Sequence, residues 1–168
     1  MNISIRIVLG GLIVAQLCGT AMAESDLLSD RAGDKVLRLQ FSPYTLHYVE
    51  TDEFKPIVMV GLEREHPNAK VDGFALFTNS FGQPSVYVYP WGGIYHGIWG
   101  NEHLSFKWTA GLLYGYVGPY KDRVPLNYNG FSPAIIPALV YEFKPGWSAQ
   151  VNFFGVGGVM FQFNAPLN

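Results

Sequence analysis

The chain contains one cysteine among 168 residues, and only 14% of its residues are charged. So little charge cannot cover an ordinary soluble domain, while 49% hydrophobic residues exclude a disordered chain. Basic residues are not in excess, since the formal net charge is −2, and nucleic acid is excluded as a partner. Long apolar runs are also missing. After the first 23 residues, no stretch reaches the roughly 18 uninterrupted apolar residues of a transmembrane helix. Gly, Pro and polar residues interrupt every candidate. Helical membrane spanning is therefore excluded for that part of the chain.

What is present begins with a secretory signal over residues 1–23. Arg6 supplies the positive end, Ile7 to Leu17 the apolar run, and Ala21-Met22-Ala23 the small-residue site, with cleavage expected between Ala23 and Glu24. The lone Cys18 leaves with the signal, so the mature domain, 24–168, has no thiol and crosses an oxidising periplasm without mispairing. A lipoprotein acylated on Cys18 is the competing reading, but Ala15-Gln16-Leu17 places a bulky Leu where that signal wants a small residue. All 12 Phe, 4 Trp and 10 Tyr lie in the remaining 145 residues. An exported chain this aromatic and Gly-rich suits a closed β-barrel, the other structure that satisfies every backbone group inside lipid.

Alternation supports that reading. From Leu104 to Tyr116 one parity reads Leu104, Phe106, Trp108, Ala110, Leu112, Tyr114, Tyr116, and the other Ser105, Lys107, Thr109, Gly111, Leu113, Gly115. Turn signals divide the chain into eight strands near 40–49, 56–64, 71–80, 84–95, 103–117, 131–143, 147–155 and 157–164. The expected fold is all-β: an eight-stranded antiparallel transmembrane barrel in the bacterial outer membrane. Residues 24–38, with Leu27, Leu28, Val36 and Leu37 among Asp, Arg and Lys, suggest a short amphipathic interfacial helix before it. With a periplasmic amino terminus, His47 and Asn79-Ser80 share the outer rim, and the long segment from Gly118 to Gly130 falls on the same side. Strand six is apolar on both parities, and the inward parity of strand five carries Gly111, Leu113 and Gly115, which predicts an apolar cavity suited to a hydrocarbon chain.

Among four histidines only His47 reaches the outer rim, either hydrogen-bonded to loop backbone or acting as a base. Ser80 is either an ordinary turn hydroxyl or, with a base in reach, a nucleophile. The histidines are scattered, so no metal site is expected. No cofactor motif occurs, and Gly155 to Gly158 reads as a hairpin turn rather than a phosphate cradle. Lys121, Asp122 and Arg123 form a charged cluster on the outer loop, where Lys121 and Arg123 are either solvated or in contact with lipopolysaccharide phosphates.

Five segments then resemble the lipid A palmitoyltransferase (PagP-type) family of outer-membrane enzymes. Thr45-Leu46-His47 resembles that family's Thr-Trp-His, Phe77-Thr78-Asn79-Ser80 its Phe-Lys-Asp-Ser, and Trp108-Thr109-Ala110-Gly111 its Phe-Thr-Ala-Gly. Pro133-Ala134-Ile135-Ile136-Pro137 resembles Pro-Val-Leu-Leu-Pro, and Met160-Phe161-Gln162-Phe163 the closing Arg-Phe-Gln-Phe. The resemblance implies transfer of a palmitoyl-like chain from an outer-leaflet phospholipid to lipid A, by a monomer. His47 and Ser80 match two members of the family's His, Asp and Ser. Asn79 stands where the Asp belongs, so Glu50, Asp52 and Asp122 are the outer-side carboxylates that could replace it, and Asn79→Asp is expected to keep or raise activity. Pro43 and Pro137 match prolines that open lateral gaps for lipid. The family's acyl-pocket floor, a glycine on the fourth strand, maps without a gap onto Trp91. If Trp91 points inward the chain accepted is short; if it points to lipid, Gly92 or Gly93 becomes the floor. Alternative functions are a lipid A deacylase or phospholipase-like hydrolase using the same His and Ser, and a non-enzymatic lipid-binding or structural barrel.

Overall fold

Period-two alternation becomes strand at all eight expected places. The computed structural model describes residues 35–49, 51 and 53–167. These form a closed antiparallel barrel in which each strand pairs with the next and the last returns to the first. The strands are β1 (Val36–His47), β2 (Met59–Glu65), β3 (Val71–Thr78), β4 (Pro84–His96), β5 (Leu104–Tyr114), β6 (Phe131–Lys144), β7 (Trp147–Phe153) and β8 (Gly158–Pro166). No helix of the described residues is long and apolar enough to cross a membrane. The expected signal segment and the expected helix up to residue 34 lie outside the described residues. Val36 and Leu37, expected on that helix, instead open β1, where they pair with Glu65 and Arg64 of β2.

The ends of β1, β3, β5 and β7 form one rim, called upper here, and their starts the lower rim. Outward positions are apolar: Leu39, Phe41, Leu76, Val88, Leu112, Ile135 and Phe163 are among the exposed large side chains. A closed ladder with such an exterior gives every strand a neighbour on both sides, as a bilayer requires.

Two proline-marked bulges interrupt the pleat. In β1, Ser42 and Pro43 together oppose the single residue Gln162 of β8, because the register shifts between Phe41 and Tyr44. In β4, Tyr89 and Pro90 together oppose Gly111 of β5, between Val88 and Trp91. An extra residue reverses which parity faces inward. Before its bulge β1 buries Arg38, Gln40 and Ser42, whereas beyond it Tyr44 and Leu46 are exposed, so Thr45 and His47 turn inward. Gly111 has no room for a side chain, since a Cβ would lie 2.0 Å from the Val88 carbonyl oxygen and 2.6 Å from the Tyr89 Cα.

The lower and middle interior is a polar plug. Arg38 donates to Glu65 at 2.6 Å, Glu65 meets His96 at 2.9 Å, and the other ring nitrogen of His96 meets Ser105 at 2.9 Å. Above them Lys107 donates to both oxygens of Glu63 at 2.9 and 2.8 Å, and the Tyr89 hydroxyl reaches Glu63 at 3.2 Å and Gln40 at 3.1 Å. An amide chain through Gln150, Asn152, Gln162 and Asn164 ends on Ser148. Buried charge and amide groups persist only when paired in this way. The upper half is different: Ile57, Met59, Ala75 and Met160 form an apolar cluster with Phe77 packed against it.

Candidate functional site

His47 is the last residue of β1 and Ser80 follows β3, yet the His47 Nε2 to Ser80 Oγ distance is 2.8 Å. Two features create this contact. The Ser42-Pro43 bulge turns His47 inward, and a tight turn after β3 turns Ser80 back over the barrel mouth. Pro43, expected to open a lateral gap, stands at the fork where pairing of β1 with β2 stops, at Ser42 opposite Met59. Among the described residues no carboxylate pairs with His47. Asp122 is exposed, whereas Glu50 and Asp52 lie outside the described residues. The described arrangement is a His-Ser dyad, able to move a proton between the imidazole and a hydroxyl nucleophile.

Asn79 is fully buried but does not face the dyad. Its carbonyl oxygen accepts from the backbone N–H of Phe81 and of Gln83, both at 3.0 Å. Its amide nitrogen donates to Gln83 Oε1 at 3.2 Å and to the Gly115 carbonyl at 3.0 Å. All its hydrogens are committed. The place of Asn79 in a catalytic trio is thereby corrected: the side chain shapes the turn carrying Ser80 and ties that turn to the end of β5.

Sequence alternation places Tyr116 on the lipid-facing parity of a strand running to 117, and this too is corrected. Strand β5 stops at Tyr114, and Gly115 adopts φ 141°, where a Cβ would lie 2.0 Å from Ser85 Oγ. Only glycine fits there. The chain turns, and Tyr116 lines the cavity beside His47 and Ser80. Burial pushes the Tyr116 pKa up, against a smaller lowering by hydrogen bonding to Ser80, so it remains a neutral O–H donor. The glycine at 115 was the available signal.

Aromatic rings frame the mouth. Phe54 lies on His47 with centroids 4.2 Å apart, and Phe81 stacks on Tyr120 at 4.2 Å. Arg123 sits 5.4 Å above the Phe81 ring and bridges to Glu53 at 3.1 Å, joining the loop after β1 to the loop after β5. Lys121 is exposed on the same short 3₁₀ turn, Gly118–Arg123.

Beneath the mouth lies a cavity of about 590 Å³. Leu113, Ile136 and Met160 contribute to its wall, and Gln40, Glu63, Tyr87, Tyr89 and Lys107 reach it from the polar plug. Other pocket expectations are corrected. Trp91 is 66% exposed on the outer face, because the Tyr89-Pro90 bulge reverses β4 ahead of it. Gly92 is buried behind Val71, whose Cγ2 would lie 2.5 Å from an added Cβ, and neither it nor Gly111 lines the cavity. Tyr87 and Tyr89, stacked at 5.1 Å, stand where a glycine floor was expected.

Strand pairing in the wall is interrupted on one side. Pairing of β6 with β7 begins at Ala138 opposite Asn152, so Phe131 to Pro137 have no β7 partner. Pro137 is the first residue above the last rung, and Pro133, Ile135 and Phe154 line the cavity across this slot. Protein-family models and curated proteins were both compared with the sequence, and neither comparison gives a match.

Proposed function

We propose that the protein is an outer-membrane acyltransferase that moves a fatty acyl chain from a phospholipid to lipid A. The observation that carries this reading is the 2.8 Å His47–Ser80 contact at the mouth of a laterally open apolar cavity. The five segments resembling the lipid A palmitoyltransferase family favour a lipid acceptor over water. In this reading the donor chain enters through the β6–β7 slot and lies in the cavity, with its ester at the rim. His47 takes the Ser80 proton, and Ser80 Oγ attacks the ester carbonyl. The lysophospholipid oxygen leaves with the proton from His47. His47 then takes a proton from a lipid A hydroxyl, which attacks the acyl-serine carbonyl, and Ser80 Oγ leaves with that proton from His47, restoring the dyad. Arg123 and Lys121 on the mouth loop suit the phosphates of the acceptor.

Mass spectrometry of lipid A from cells with and without the protein tests the proposal. An added acyl mass that depends on Ser80 supports it. A lost acyl mass assigns the dyad to a lipid A deacylase, and unchanged lipid A with no phospholipid turnover overturns both enzymatic readings.

A further inference from the structure

The Ser80 proton and nucleophile are accounted for by His47, but acyl transfer also develops negative charge on the ester oxygen, and something must donate to it. We infer that Tyr116 is a further catalytic residue, its hydroxyl donating to that oxyanion, and that Asn79 is the positioning residue that holds it there. The inference rests on the serine acyl chemistry proposed above.

The geometry supports it at three points. Tyr116 and Ser80 line the same cavity, and hydrogen bonding to Ser80 lowers the pKa of the Tyr116 hydroxyl against the larger effect of burial. The phenolic hydroxyl therefore sits by the atom that attacks, where it can donate to the ester oxygen as charge develops. Asn79 fixes the spacing: one amide group accepts from Phe81 and Gln83 on the Ser80 turn while donating at 3.0 Å to the carbonyl of Gly115, the residue before Tyr116. The Phe81 ring packs edge-on against Tyr116, with centroids 6.2 Å apart, which limits swinging of the phenol.

In the reaction, the Ser80 Oγ–carbon bond forms as the carbonyl double bond opens. The carbonyl oxygen takes the electron pair and accepts the Tyr116 O–H, which keeps its proton. The oxyanion collapses as the leaving alkoxide takes the proton held by His47. No other reactant is required.

The test uses the protein purified from membranes in detergent, with 4-nitrophenyl octanoate and its thiono analogue, whose sulfur is a poorer hydrogen-bond acceptor. Tyr116→Phe should lower kcat on the oxygen ester by about 10²-fold, the loss typical of one oxyanion donor, with KM unchanged. It should also shrink the preference for the oxygen ester over the thiono ester, which a structural role would leave alone. Asn79→Asp should lower kcat in the wild type but little further in a Tyr116→Phe background. Unchanged kcat and an unchanged oxygen-to-sulfur preference in Tyr116→Phe, with wild type active and Ser80→Ala inactive, overturn the inference and leave the acyltransferase reading standing. An inactive wild type, or an active Ser80→Ala, overturns the serine chemistry and the inference together. Should Tyr116→Phe not fold, 3-fluorotyrosine placed at 116 retains the shape with a more acidic hydroxyl: altered kcat supports the inference and unaltered kcat overturns it.

Discussion

His47 and Ser80 are 33 residues apart in sequence, and each is placed by an irregularity rather than by regular strand geometry. Because both sit at a mouth where truncation leaves little void, His47→Ala and Ser80→Ala should keep the barrel intact and lower transfer by at least about 10³-fold, the scale seen for groups acting as one unit. Thin-layer assay of acyl transfer measures the rate, and mobility of unboiled protein on gels monitors the fold; full transfer in both variants would refute the site. Asn79 carries the opposite lesson. The resemblance to the palmitoyltransferase family alone favours activity in Asn79→Asp, but a carboxylate in this position cannot donate to the Gly115 carbonyl or to Gln83 Oε1. Each lost buried bond costs about 1–3 kcal/mol. Asn79→Asp should therefore lose transfer and melt earlier in detergent, and a rise in transfer would show that the turn adopts another arrangement during catalysis.

At the scale of elements, the proposed acyl transfer makes the slot between β6 and β7 the point of access and the bulge in β4 the determinant of depth. Continuing the β6–β7 register above Ala138–Asn152 places Ile136 opposite Phe154. A disulfide between Ile136→Cys and Phe154→Cys should close the slot, and the absence of cysteine from the described residues makes the pair unambiguous. Oxidised protein should lose transfer and recover it on reduction, whereas equal rates with the cross-link proven by mass would exclude lipid entry there. The β4 bulge directs Trp91 outward and leaves Tyr87 and Tyr89 toward the cavity. With donors from C10 to C18, Trp91→Gly should leave chain preference unchanged, while Tyr87→Ala should shift it to longer chains. The reverse outcome would mean the bulge is misplaced.

For the molecule as a whole, two unlike parts stand out: a polar plug inside and an apolar exterior. Lys107 is 2% and Glu63 3% exposed, so neither charge has solvent to replace its partner. Lys107→Met leaves a buried carboxylate alone and should cost about 3–5 kcal/mol, while Lys107→Met with Glu63→Gln removes both charges and should lie closer to wild type. Urea unfolding in detergent, followed by the gel shift between folded and boiled barrel, distinguishes the two; equal losses would mean that water reaches the pair. A helical spectrum, or recovery of the protein without detergent, would contradict a membrane barrel altogether.

Alternation and turn chemistry alone determined eight strands, their approximate limits, the lipid-like exterior and the shared rim of His47 and Ser80, because a strand's period of two is local and is written into every hydrophobic run. Val36 and Leu37 were misplaced since four apolar residues among charges fit a short helix as readily as a strand start. Tertiary structure decided what parity could not. The bulges at Ser42-Pro43 and Tyr89-Pro90 each insert one residue against a partner strand, and that count depends on pairing with β8 and β5 rather than on the neighbours in sequence. One bulge turns His47 into the cavity and the other turns Trp91 out of it. The contact of Asn79 with Gly115, across 36 residues, likewise exists only once the barrel has closed, and it sets Tyr116 beside Ser80.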